Sequence, residues 1–315
     1  MTIVISMLIM TGCKGTDNAK DKIRIGTMPI VDLAQLYVAT EMGYFSDVGL
    51  EIETVKMAGG PAIAPAVASG DLEIGWSNSV SIAAATEKGF DFVFIAPGAF
   101  NSSSVVREAG CIMLPSNSPV KVASDLEGKI IGVNTLGNIS DLILHAWADK
   151  TGVNLDGIKF SEIPYPDMEA ALAAERVDAA VVWEPFVSQA MANNSAVAFD
   201  CKPMSYMGDQ ILIASWFSEK EWVENHPEQV KKFVEAIMMA NEFISNNPDD
   251  ARAITATYTK IDNSLAQSMS LPSFPSEWSL ADYQRVLDLS FEYGLLNTKL
   301  EASTIVDSRA NASGK

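Results

Sequence analysis

LAQLYVATEMGYFSDVGLEIETV, residues 33–55, carries both periodicities that decide the fold class. From Leu33 to Tyr44 apolar residues recur every three or four positions, the spacing of a helix with one buried face. From Leu50 to Val55 they alternate with polar ones, as in a strand packed on one side. The short strand Ile23-Arg24-Ile25-Gly26 precedes this stretch. After it come a helix at Ala62 to Ser69 closed by Gly70, a strand at Leu72 to Gly75, a helix at Ser79 to Lys88 ended by Gly89, and a strand at Phe92 to Ala96. Strands alternating with helices predict an α/β fold with mostly parallel sheets.

A second series begins near Cys111. It has a strand at Ile130 to Val133, a helix from about Ser140 to Lys150, and a strand at Lys159 to Ile163. A helix at Met168 to Arg176, a strand at Ala179 to Trp183 and a helix at Phe186 to Ala192 complete it. The chain then crosses back through Gln210 to Ser215. Its last third is largely helical: Pro227 to Asn246, Pro248 to Tyr258, and Leu280 to Tyr293. The face Val230, Phe233, Val234, Ile237, Met238 has helical spacing and reads as packed core, its methionines as filler rather than soft-metal ligands.

At 315 residues the chain suits two lobes, and 48% hydrophobic content supports a large core. Acidic residues number 40 against 22 basic, a net charge of −18. That balance excludes nucleic-acid binding, which needs a basic surface to displace counterions, and broad adhesion to anionic lipid.

The first residues have their own character. Thr2 to Met10 is an almost unbroken apolar run, ending in Met10-Thr11-Gly12-Cys13, and a polar segment follows to Lys22. The run is too short for a membrane span but suits the core of an export signal. Small residues before a cysteine resemble the lipobox of bacterial lipoproteins. That resemblance implies residues 1–12 as a signal, Cys13 as the lipidated residue and residues 13–21 as a linker. No Lys or Arg precedes the run, a departure from the usual positive start. Cys111 and Cys201 could pair in an oxidising compartment or stay as two buried thiols, and sequence leaves both open. No CxxC or zinc-type spacing is present, so no metal is expected.

Ala39-Thr40-Glu41-Met42-Gly43-Tyr44-Phe45, followed by Val48-Gly49-Leu50-Glu51-Ile52-Glu53, resembles the A-x-E-x-G-Y-F … G-L-x-V-E stretch of one branch of ABC-importer solute-binding proteins. That branch serves nitrate, taurine, alkanesulfonates and the pyrimidine precursors of thiamine. Gly59-Gly60-Pro61 with Ala66, Ala68, Gly70 and Asp71 is similar to its next block. Leu126-Glu127-Gly128-Lys129 with Gly132-Val133, and Val177-Asp178-Ala179-Ala180 with Trp183-Glu184-Pro185, resemble two more. The resemblance implies a two-lobed type II periplasmic-binding-protein fold with two crossover strands, the ligand between lobes that close on it. Residues 22–105 and 216–315 would form lobe 1, and residues 106–215 lobe 2 with the hinge strands. It implies a monomer that binds a small solute without a cofactor, works with a permease and an ATPase, and touches the membrane only through its lipid.

Ligands of open α/β sheets sit beyond the carboxyl ends of the strands, against helix N-termini. The loops there nominate Asp32 and Gln35, Gly60, Trp76-Ser77-Asn78 and Asn101 in the first lobe. In the second they nominate Thr135, Asn138, Tyr165, Trp183 and Glu184. Asp32 serves equally well as a helix N-cap, Gly60 as part of a plain turn, and Tyr165 as a turn former on the cleft rim. Trp183 and Trp76 are expected to wall the ligand from opposite lobes, with Glu184 accepting a hydrogen bond from it. These loops contain no Arg or Lys, whereas Asp32, Asp167 and Glu184 are acidic. An oxyanion would more naturally recruit Arg. The lean is toward a neutral or amine-bearing organic solute with a flat or apolar part, pyrimidine-like or aromatic. Sulfonate, taurine or nitrate is the alternative, since helix N-termini bind anions unaided. Only two histidines occur, and neither is placed for a triad, so no catalytic residue is expected. A ligand-sensing receptor is the remaining rival.

Overall fold

The computed structural model of the chain describes residues 21–101, 105–276 and 278–311, so Cys13 and its surroundings lie outside the described residues. The first sheet takes β1 (Asp21–Thr27), β2 (Leu50–Lys56), β3 (Ile74–Asn78) and β4 (Phe92–Pro97). The second takes β5 (Gly110–Pro115), β6 (Ile130–Val133), β7 (Lys159–Glu162), β8 (Ala179–Trp183) and β9 (Ala196–Asp200), and β10 (Ala214–Glu219) then returns to the first. The strand orders are β2-β1-β3-β10-β4 and β7-β6-β8-β5-β9. One plan is thus used twice: three parallel strands, one antiparallel strand beside a crossover, and an edge strand. The chain passes between sheets after β4 and again after β9, the two crossings expected.

Helices α1 (Ala34–Glu41), α2 (Tyr44–Asp47), α3 (Gly60–Ala68) and α4 (Ser79–Glu87) accompany the first sheet. The second has α5 (Ile139–Thr151), α6 (Tyr165–Ala173) and α7 (Phe186–Ala192). The tail adds α8 (Lys220–Asn225), α9 (Pro227–Asn246), α10 (Pro248–Thr259), α11 (Leu280–Glu292) and α12 (Ala302–Ile305). No helix among the described residues is long and apolar enough to cross a membrane.

Strands β3, β4, β5 and β8 are buried at every position, because helices cover both faces of their sheets. The tail helix α9 packs on α1, with Phe233 stacked 5.8 Å from Phe45 and set edge-on 5.4 Å from Trp216. The single helix read over 33–44 is instead a 3-10 turn at Val31–Leu33 followed by α1 and α2. Gly43, at φ 78°, breaks it in a conformation that costs glycine little. Strand β3 begins and ends later than read, so Trp76 and Ser77 are strand residues and not loop residues. Cys111 and Cys201 form a disulfide, fastening the end of the first crossover to the start of the second.

Candidate functional site

The first wall of the cleft begins where β1 ends. Asp32 is 1% exposed and caps nothing, since α1 has no side-chain cap. Burial pushes its carboxyl up to about 7, and the Trp183 side chain opposes that shift from the other lobe. Its Oδ2 has no hydrogen-bond partner among the described residues. Gly60 lets α3 approach β3 closely, because a Cβ there would lie 2.0 Å from Ser77 Oγ. Ser77 faces Ser215 across the β3–β10 pair, and both hydroxyls, like Trp76 Nε1, are buried without a partner among the described residues. Asn78 caps α4, accepting from Ser81 N at 2.9 Å.

The second wall is built around the start of α5. Asn138 caps that helix by accepting from Ser140 N at 2.8 Å, and donates to Thr135 Oγ1 at 2.6 Å and Asn134 Oδ1 at 2.9 Å. Tyr165 is not the rim residue expected. It is buried at the start of α6, its ring 6.3 Å from both Trp183 and Phe186. The walls meet where Val31 N donates to Glu184 O at 3.2 Å and Trp183 reaches Asp32. A Cβ on Gly59 would sit 3.6 Å from Thr135 Cγ2. Asp32, Thr135, Asn138, Tyr165, Trp183 and Glu184 therefore gather at one seam.

Three expected contacts turn out otherwise. Gln35 belongs to the core of lobe 1, donating to Pro97 O and Asn241 Oδ1 and accepting from Trp216 Nε1. Asn101 braces the crossovers, bonded to Gly208 O and Ile211 N. Glu184 is fully buried and already bonded to Arg107 Nη2 at 2.5 Å, Ser188 N at 3.0 Å, Ser188 Oγ at 2.9 Å and Ser270 N at 3.2 Å. Burial raises its carboxyl and Arg107 opposes that shift, with three of the four bonds converging on Oε1 and one on Oε2.

Arg107 and Glu108 were missed because the crossovers were not read as part of the site. Glu108 is buried, accepts from Met204 N at 2.8 Å and from Ser205 Oγ, and is pushed up to about 7 by burial. It shares with Asp32 a cavity of ≈ 10 Å³, lined also by Asn101, Ala109, Met204 and Ser273, room for about one water. A solute of several heavy atoms enters only if the lobes part. A wider groove of ≈ 1420 Å³ lies on lobe 1 between α9 and residues 271–276, but it lacks the convergent buried polar groups of the cleft.

Two repeated α/β lobes, two crossovers and a polar seam at their strand ends define the two-lobed fold of the periplasmic binding proteins. The chain belongs to the NMT1-like family, whose model matches residues 16–259. A binding protein of Brucella abortus is 24% identical over 225 residues, 71% of this chain and 67% of its own length. The taurine-binding periplasmic protein of Escherichia coli is 27% identical over 206 residues, 64% of this chain and 60% of its own. The alkanesulfonate-binding protein of Xanthomonas axonopodis pv. citri, bound to MOPS, superposes with a TM-score of 0.74 at 18% identity, covering 91% of this chain and 98% of that one. These relatives are named as binding proteins, and none of these names describes an enzyme.

Proposed function

We propose that this protein captures an amine-bearing organic solute outside the cytoplasm and hands it to an ABC permease and its ATPase. One observation carries the ligand class: Asp32 holds a buried carboxylate oxygen without a partner at the interlobe seam, beside Trp183 and near Tyr165. The nearby cation, Arg107, is committed to Glu184. An ammonium or amidinium would satisfy Asp32, and an aromatic or flat body would lie along Trp183. Trp76 Nε1 and Ser77 Oγ offer donors to a polar edge. An aminopyrimidine has this combination of groups. The relatives named for taurine, sulfonates and nitrate favour a second reading, an aminosulfonate, whose ammonium would take Asp32 and whose sulfonate would take a helix N-terminus.

The test is a thermal-shift screen of amines, aminopyrimidines, taurine, alkanesulfonates and nitrate, followed by calorimetry on Asp32→Asn. A charged hydrogen bond is worth about 1.5–3 kcal/mol, so the variant should bind an amine-bearing ligand roughly tenfold or more weakly. Tight binding of a sulfonate or nitrate that lacks an amine, unchanged in Asp32→Asn, would sink the reading.

The location rests on the relatives, on the Cys111–Cys201 disulfide, which suits an oxidising compartment, and on the apolar start before Cys13. We include lipidation of Cys13 in the proposal. Cys13→Ala should move the protein from the membrane fraction to the soluble one; a protein equally soluble before and after the change has no such anchor.

A further inference from the structure

We infer that Arg107 is a positioning residue that clasps the two lobes shut from the hinge side, so that closure has a fastening of its own, independent of any solute. Arg107 sits in the first crossover, just before β5, and its surroundings move with lobe 2. Glu184 N, at the end of β8, donates to Ala109 O at 2.8 Å, and Glu108 N donates to Cys201 O at 2.8 Å. The guanidinium then reaches two further lobe 2 groups, Glu184 Oε1 at 2.5 Å and Ser188 Oγ at 3.2 Å.

On its other side lies a strap, residues 268–273, that belongs to lobe 1. Ser273 and Phe100 exchange backbone hydrogen bonds at 2.9 Å in both directions, and Arg252 Nε of α10 holds Met269 O at 3.1 Å. Arg107 Nη2 donates to Ser268 O, and Arg107 Nε donates to Ser270 Oγ at 3.3 Å. Ser270 N donates to Glu184 Oε1 at 3.2 Å. Three hydrogen bonds thus cross from lobe 2 to lobe 1 through one part-buried ion pair, and each has a charged partner.

The energetic asymmetry makes this a clasp and not mere packing. In the closed arrangement Glu184 is 0% exposed and the Arg107 side chain 19% exposed. A fork of donors that spans carboxylate, hydroxyl and carbonyl stabilises both charges only while the strap is in place. Parting the lobes breaks the bonds to Ser268 and Ser270 and returns the pair to water, where it is worth little. Without Arg107, closure would bury the Glu184 carboxylate unpaired, and the open arrangement would win. A rim contact also spans the lobes, with Tyr293 stacked 5.2 Å from His145 and bonded to Asp149 Oδ2 at 2.8 Å, but it carries no buried charge.

The test needs no solute and is read separately from the ligand proposal. Small-angle scattering of the solute-free full chain should give a closed profile for the wild type. Arg107→Gln should raise the radius of gyration by about 1 Å, against roughly 20 Å for a compact chain of this length. Arg107→Gln with Glu184→Gln, which removes the unpaired charge, should return part of that increase. Should Arg107→Gln fail to fold, Arg107→Lys reports on the same clasp, since it keeps the charge but loses the fork that spans Ser268 and Ser270; it too should open. A wild type that is already open, or a radius unchanged in the folded variant, would overturn the proposal.

Discussion

Asp32, the carboxylate proposed to meet the solute, links stability to pH through one proton. Its carboxyl is raised from 3.8 to about 7, chiefly by burial. Between those values the folded chain holds a proton that the unfolded chain has released, so stability is greatest toward the acid side and declines as pH rises through 7. Above about 7 both states are ionised and the cost is constant. Glu108, raised to about 7 by burial, acts in the same sense. Melting temperatures of the solute-free protein should therefore fall from pH 5.5 to 8. Asp32→Asn should lose roughly half of that slope and melt about 2–4 °C higher at pH 8. An Asp32→Asn variant with the slope of the wild type would show that Asp32 is already solvated or paired. Asp32 was legible from sequence as an acid at a strand end. That its pKa responds to Trp183, 151 positions away (183 − 32), could not be read from local pattern. The same holds for Glu184, whose partner Arg107 lies 77 residues earlier in a crossover.

The strand–helix alternation of both lobes was readable because buried parallel strands are continuous apolar runs and amphipathic helices mark their own faces. Strand β9 went unread, since only Ala196 of its five residues is fully buried and its neighbour is β5, far back in the sequence. Strand β10 was read only as a crossing, because its pairing with β3 and β4 spans the whole second lobe. The disulfide between β5 and the end of β9 was left open for the same reason, as two thiols 90 residues apart say nothing of their meeting. Closing a loop of that length restricts the unfolded chain by about 4–5 kcal/mol. The double variant Cys111→Ala/Cys201→Ala should lower the urea midpoint accordingly, with the slope of the transition changed little. A midpoint equal to that of the wild type would mean that the bond constrains only the hinge and not the fold.

At the scale of the whole molecule, charge should sort the solutes that the proposed cleft admits. The chain carries −18 overall, and the seam adds Asp32 and Glu108 with Arg107 already committed to Glu184. Like-signed charge around a low-dielectric cleft concentrates cations at its mouth and repels anions. Screening shortens the reach of that field from about 30 Å at 0.01 M salt to about 3 Å at 1 M. For a singly cationic solute the association rate should fall about threefold or more across that range, while the dissociation rate stays nearly constant. An anionic solute should show the opposite sign, associating faster as salt removes the repulsion. A zwitterionic aminosulfonate should show almost no salt dependence. Stopped-flow measurement on tryptophan fluorescence, with Trp183 at the seam as reporter, separates the three cases. A rate that rises with salt would identify an anion as the cargo and leave the Asp32 carboxylate without its role.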